Sequence, residues 1–268
     1  MREGPIVVLD ANLVARMDAS LASYWGAYAL AEGSQLEEFP GASFFYTPIP
    51  LSLFNTVILT GRESPSIDAV VDRVAKYIVE QGRPVLWRLS PTAVSNEVRA
   101  QLERHGLQPQ GRQPAMLANL SDLAPPPQVD GLKIEIVEGR SGRYDWAWLT
   151  CDAFELGSDV REAMSACEAA IPETKFISQP RYTGYLDGRP VAVGALVMAA
   201  DLAGVYAVAT LPEARKRGIG TAMTLHAMAQ GKMKGAKSAV LQATEMGRPV
   251  YERIGFSTVF EYEMYLQS

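Results

Sequence analysis

Val208-Ala209-Thr210-Leu211-Pro212-Glu213-Ala214-Arg215-Lys216-Arg217-Gly218-Ile219-Gly220-Thr221 joins three kinds of local structure in fourteen residues. An apolar strand ends, a proline stops its ladder, and a basic, glycine-containing turn opens a helix. The first N–H groups of a helix have no internal partner and present partial positive charge, so this junction suits an anion such as a pyrophosphate. Glycines at 218 and 220 let phosphate oxygens approach the backbone without meeting a Cβ. Lys and Arg are unfavourable at a helix N-terminus unless an anion offsets them, and three stand here, Arg215, Lys216 and Arg217. A dinucleotide fingerprint is excluded because Met223 stands where its third glycine belongs. A Walker A loop is excluded because no Gly-Lys-Ser/Thr follows.

The surroundings read as alternating strands and helices. Downstream, 218–234 has helical spacing, 238–243 reads as a strand, 248–254 as a short helix stopped by Gly255, and 256–266 as one or two closing strands. Upstream, 132–138 alternates as a half-buried strand, 144–156 and a segment from Ser158, with Ser158 or Asp159 as its cap, read as helices, and Asp187-Gly188 marks a hairpin between 182–186 and 190–198. Another strand covers 204–209. Ala124-Pro125-Pro126-Pro127 stiffens the chain and can continue neither helix nor ladder, which places a linker or crossover at about 124–130. Before it, helices are expected at 11–32, 66–81 and 93–105, and strands at 43–47, 55–59, 83–89 and 115–120. Leu102-Glu103-Arg104-His105-Gly106-Leu107 echoes Tyr251-Glu252-Arg253-Ile254-Gly255-Phe256, each between two strands, as an internal repeat would. The expected architecture is α/β with two domains, 1–123 and 130–268.

Composition narrows the function. The 268 residues carry 25 Lys+Arg against 30 Asp+Glu, net −5, so the broad positive field of a nucleic-acid binder is absent. Two cysteines, Cys151 and Cys167, and two histidines, His105 and His226, supply neither a disulfide framework nor a metal-ligand pattern. The thiols fall in amphipathic stretches and are expected to be buried and free. No stretch is long and apolar enough for a membrane span, and the apolar run after Met1 is too short for a signal peptide. A cytoplasmic protein with no metal, nucleic acid or membrane partner is the expectation.

With these residues in view, the chain resembles the GNAT superfamily of acyl-CoA-dependent N-acetyltransferases. Arg215-Lys216-Arg217-Gly218-Ile219-Gly220 is similar to that family's pyrophosphate loop, and Pro249-Val250-Tyr251-Glu252-Arg253-Ile254-Gly255-Phe256 to its closing P-x-Y-x-x-x-G-F segment. The likeness covers about 132–268. The first part resembles the degenerate leading half of two-part bacterial members, through Phe54-Asn55 and Trp87-Arg88-Leu89-Ser90-Pro91. It lacks the glycine loop and has Leu102 where the repeat places Tyr251, so it is expected to support the fold and shape the acceptor pocket.

The resemblance implies tandem GNAT-like domains with a mixed, mostly antiparallel sheet flanked by helices, the second domain catalytic. It implies direct attack of an amine, from a small molecule or a peptide, on acetyl-CoA in a ternary complex. Val208, Ala209, Thr210, Arg215, Lys216, Arg217, Gly218, Ile219, Gly220 and Thr221 would hold the cofactor. The backbone N–H of Val208 would stabilise the carbonyl oxygen, beside a splay between parallel strands at 204–210 and 238–243. Tyr251 would protonate the leaving thiolate, since a phenol with a pKa near 10 stays protonated at neutral pH. Glu155, Glu173 and Glu245 are candidates for the base, and Thr244, Arg248, Trp146 and Trp148 for the cleft wall. The alternative is a non-catalytic acyl-CoA-binding sensor or partner module. Either a monomer or a homodimer fits the sequence.

Overall fold

The structure, a computed structural model, describes residues 10–61, 66–121 and 123–268. The apolar run after Met1 lies outside the described residues. The chain forms α1 (Ala11–Tyr28), β1 (Gln35–Phe39), β2 (Ala42–Tyr46), β3 (Thr56–Leu59), α2 (Ile67–Gln81), β4 (Val85–Leu89), α3 (Asn96–Arg104) and β5 (Gln108–Asn119) before the proline segment. After it come β6 (Leu132–Ile136), α4 (Gly139–Ala153), α5 (Ser158–Ala170), α6 (Glu173–Phe176), β7 (Arg181–Leu186), β8 (Arg189–Ala199) and β9 (Leu202–Thr210). Then follow α7 (Ile219–Met233), β10 (Ser238–Gln242), α8 (Arg248–Arg253) and β11 (Ser257–Gln267).

Among the described residues the strands form one 11-stranded sheet in the order β1-β2-β3-β4-β11-β5-β10-β9-β8-β7-β6. The pairs are antiparallel except β3/β4 and β9/β10. The two parts exchange their last strands. β5 pairs with β10, and β11 pairs with β4, while β5 and β11 pair with each other. The proline stretch at 124–130 is therefore a crossing in the chain and not a break in the sheet.

The internal echo has a structural counterpart. Leu107 N–H bonds back to Leu102 O at 3.1 Å, and Phe256 N–H to Tyr251 O at 3.0 Å. Both turns pass through a glycine with positive φ, Gly106 and Gly255. Each closes its short helix in a 6→1 bond and launches one of the exchanged strands. The tail at 257–267 is a single strand, bent by irregularities at Thr258/Phe260 and Met264/Tyr265, because it must follow β4 and β5 at once.

Three further features differ from the pattern in the sequence. α1 stops at Tyr28, since the chain must turn through left-handed Gly33 into a strand. That strand, Gln-Leu-Glu-Glu-Phe, is a largely exposed sheet edge whose charge hides its β character. α5 is preceded by Gly157, which offers no side-chain cap, instead of starting behind Ser158 or Asp159.

One face of the sheet carries α1, α4 and α5 over a continuous core that includes Trp25, Trp146, Phe260 and Tyr262. The other carries α2 and α3 over the first part, and α7 and α8 over the second. α1 reaches across the seam: Tyr24 stacks on Tyr206 of β9 at 4.5 Å, and the Ser20 and Tyr206 hydroxyls lie 3.1 Å apart. Arg181 of β7 and Glu168 of α5, both without solvent exposure, pair at 2.7 Å. The guanidinium is roofed by the rings of Tyr24, Trp146 and Phe176. Both cysteines are free and buried, and burial pushes each thiol up to about 11. Removing one partner of a buried ion pair strands the other charge. Glu168→Ala should therefore lower the unfolding free energy by about 3–5 kcal/mol in urea titration, and adding Arg181→Met should recover part of the loss.

Candidate active site

Parallel strands β9 and β10 pair only at Ser238/Leu202, Ala239/Ala203 and Val240/Gly204. Beyond Gly204, β9 runs six residues without β10, so the sheet opens from that point. At the opening β9 carries a bulge: Val193 faces Ala209 and Ala195 faces Tyr206, leaving Gly194 opposite both Ala207 and Val208. Ala207 takes φ 50, a left-handed value that a residue with a Cβ adopts rarely. A bulge of this kind re-aims the groups that follow it. The corresponding parallel pair of the first part is closed. β3 and β4 pair along Thr56/Leu86 to Leu59/Leu89, and Leu86 N–H to Asn55 O and Ser90 N–H to Leu59 O seal both ends.

The glycine loop forms as its residue types dictate. Pro212–Ala214 makes a 3-10 turn after the strand. Lys216 has φ 63 and Gly218, the residue before α7, has φ 79. No side chain caps α7, and its first internal bond is Ala222 N–H to Gly218 O. The amides of Ile219, Gly220 and Thr221 thus form the positive end of the helix dipole. A Cβ added at Gly220 would sit in ordinary contact with the Thr210 hydroxyl, 3.8 Å away. Lys216 and Arg217 are exposed, and neither makes an ion pair among the described residues. Arg215 is different. Its guanidinium bonds Thr210 O at 3.0 Å, Ala153 O at 2.9 Å and the Glu155 carboxylate at 2.9 Å. It fastens the loop to the end of α4, which departs from a role among the free cations of the turn.

Tyr251 lies half-buried on α8, against Phe256 with ring centroids 5.9 Å apart. It packs on the α7 side of the sheet in the same apolar cluster as Val208 and Met223. Burial raises its pKa above the ordinary phenol value, and its hydroxyl has no hydrogen-bond partner among the described residues. A neutral donor therefore stands on the face that carries the loop.

The other candidates separate. Glu155 is held by Arg215, and Glu173 by Arg143 at 3.4 Å. Thr244 accepts the Gly247 N–H at 3.1 Å and Arg248 pairs with Glu252, so both serve the local turn and α8. Glu245 is exposed beyond the end of β10. Trp146 is core and donates to Tyr182 O, whereas Trp148 stacks against Tyr144 and Arg161. Polar groups of the first part and the seam that reach this end of the sheet, Arg88, Gln113 and Gln242 among them, had no signal in local sequence. Among the described residues no group of three or more His, Cys, Asp and Glu side chains is placed to hold a metal ion, and no helix is long and apolar enough to cross a membrane.

Residues 181–258, from β7 through the loop to the start of β11, match the acetyltransferase (GNAT) domain family. No curated protein sequence matches the chain at a significant level. Among solved structures it is similar to a GCN5-related N-acetyltransferase from Kribbella flavida, with TM-score 0.67 and 17% identity, covering 93% of this chain and 95% of that one. It is similar to another from Sphaerobacter thermophilus, with TM-score 0.59, 16% identity, and 96% and 92% of the two chains covered. A tandem GNAT protein from the clavulanic acid biosynthesis pathway aligns with TM-score 0.58 and 12% identity over 97% of this chain and 96% of that one. At these identities the likeness is one of fold, and it extends over both parts of the chain.

Asn55 explains why the first part is shut. Its carboxamide accepts from Thr47 N–H and Tyr77 O–H and donates to Ile49 O and Leu51 O, all within 3.1 Å. Leaving such buried partners unsatisfied is costly, so Asn55→Ala should destabilise the chain by about 3 kcal/mol in denaturant melts.

Proposed function

We propose that the chain transfers an acetyl group from acetyl-CoA to a primary amine, with residues 130–268 as the catalytic domain and 1–123 as support and acceptor-side wall. The opening of β9 from β10 beside an uncapped, glycine-lined helix N-terminus carries this reading. Acetyl-CoA would supply a thioester carbonyl carbon open to attack by an amine. The amides of Gly218, Ile219, Gly220 and Thr221, with Lys216 and Arg217, would hold its pyrophosphate by charge and hydrogen bonds. The free edge of β9 at Val208, Ala209 and Thr210 would pair with the pantetheine chain. Arg215 would act on the phosphates indirectly, by keeping the loop against α4.

The chemistry asks little more of the protein. The amine nitrogen bonds to the carbonyl carbon and the carbon–sulfur bond breaks. The Val208 N–H donates to the oxygen on which charge develops, where a fixed donor is worth most. Tyr251 gives its proton to the departing sulfur, and the amine returns a proton to solvent. A phenol raised by burial stays protonated throughout the neutral range, which suits a donor.

Two outcomes test this. With acetyl-CoA and an amine panel, assayed by thiol release, Tyr251→Phe should lower kcat by about 10²–10⁴-fold while acetyl-CoA affinity stays unchanged. The wild-type rate should fall only as pH rises through the raised Tyr251 pKa, above 10, and the variant should lack that limb. An unchanged kcat or an unchanged alkaline limb would remove Tyr251 from the mechanism. Replacing Lys216 and Arg217 together by Ala should weaken acetyl-CoA binding at least tenfold, about 1.4 kcal/mol, and flatten its dependence on salt.

A further inference from the structure

A cavity of about 480 Å³ opens between the proline crossing and α7, lined by residues 126–132, Ile134 of β6, and Ala222 and His226 of α7. Its volume falls within the roughly 300–1,000 Å³ of small-molecule sites. Gly218, Ala222 and His226 stand four residues apart in turn, so they share one side of the helix. The crossing reaches that side directly: a Cβ added at Gly218 would meet a Val129 methyl at 3.7 Å. Gly220 lies on the other side, where its added Cβ would face the Thr210 hydroxyl of β9 at 3.8 Å. The unpaired amides that open α7 therefore sit between the free edge of β9 and this cavity.

The lining suits a flat heteroaromatic ring. Val129, Leu132 and Ile134 are half-buried and pack on the α7 side of the sheet, leaving apolar surface beside the proline rings. Consecutive prolines hold that wall stiff. His226 is half-buried, edge-on to the Tyr182 ring with centroids 4.8 Å apart. Its ring nitrogens have no hydrogen-bond partner among the described residues. Burial lowers its pKa, so at neutral pH it offers one donor and one acceptor. Gln128 and Asp130, both exposed, add a carboxamide and a carboxylate. No Lys or Arg side chain lines the cavity. Phosphates are thus favoured at the loop, and an uncharged ring with amino hydrogens is favoured here.

We infer that this cavity binds the adenine of acetyl-CoA, so that the proline crossing is a wall of the cofactor site and coenzyme A thioesters are preferred to those on a bare phosphopantetheine arm. The cofactor's identity rests on the acetyl-transfer reading, whereas the cavity's affinity for adenine does not. With the phosphates over the first amides of α7, the pantetheine would run toward β9 and the nucleoside toward the crossing. The faces of adenine would lie on apolar surface, and its polar edge would meet Asp130, Gln128 and His226.

The chain has two histidines, so in His105→Gln the remaining imidazole signals belong to His226. The test follows them by proton NMR in the full chain at a pH near 8, where the ring is neutral and a shift reports a neighbour and not protonation. ADP and inorganic pyrophosphate are the probes, since both offer phosphates to the loop and only ADP carries adenine. The expected result is a saturable His226 shift with ADP and none with pyrophosphate. No shift with ADP, or an equal shift with pyrophosphate, would overturn the assignment. Calorimetry gives a second readout. Acetyl-CoA should bind roughly tenfold tighter than S-acetyl-4′-phosphopantetheine. His226→Ala should weaken acetyl-CoA roughly threefold and leave the shorter thioester unchanged. Equal affinities, or a loss shared by both ligands, would also overturn it. Acetyl-CoA binding without an ADP-induced shift sinks only the adenine site. An ADP-induced shift without acetyl-CoA binding sinks only the acetyl-transfer reading.

Discussion

β5 and β11 each complete the sheet of the other part, and the remaining geometry depends on that exchange. Each is flanked by strands on both sides, so neither part has a full sheet without the other's last strand. The exchange runs β4 and β10 in opposite directions along one surface, which points the two parallel pairs to opposite ends. It also carries first-part residues, Arg88 through β4 and Gln113 through β5, to the level where β9 and β10 separate. A linker joining two self-contained domains would have left them apart.

The same repeat has produced one closed pair and one open pair, and the difference is local. In the first part Asn55 satisfies two carbonyls and two donors at the entry to β3, and the strands pair to their ends. In the second, Gly204 gives room to Ser20 of α1 and to the ring of Tyr206 in its own strand, pairing stops, and a left-handed Ala207 turns the free edge. The Arg-x-x-Gly-x-Gly loop then supplies amides without helical partners and two cations without an ion pair among the described residues. Each element is a departure from ordinary strand or helix chemistry, and departures of this sort gather where a ligand is expected.

The sequence made the second part legible because its signals are short-range. Asp187-Gly188 specifies a hairpin through two left-handed residues, and Gly255 ends a helix in the same way. The loop's basic residues before a helix have no comfortable explanation without an anion. What escaped was long-range or disguised by polarity. β1 reads as solvated because it is an edge strand. The first six residues of β5, Gln-Pro-Gln-Gly-Arg-Gln, are exposed and polar, and only their pairing with β11 makes them a strand. Arg215 matched the loop pattern, yet its guanidinium is fixed by Glu155 and the end of α4, a contact no spacing rule contains. Arg88 looked like an ordinary strand residue, since nothing in Trp-Arg-Leu-Ser announces that α1 and β11 will bury it.

The account stands on one cofactor site per chain, at the open pair, with none at the closed one. Calorimetric titration of the full chain with acetyl-CoA addresses this directly. The predicted result is a single site per chain that disappears in Gly220→Trp, where an indole would fill the space over the α7 amides. Two sites per chain, or a site that survives Gly220→Trp, would contradict it.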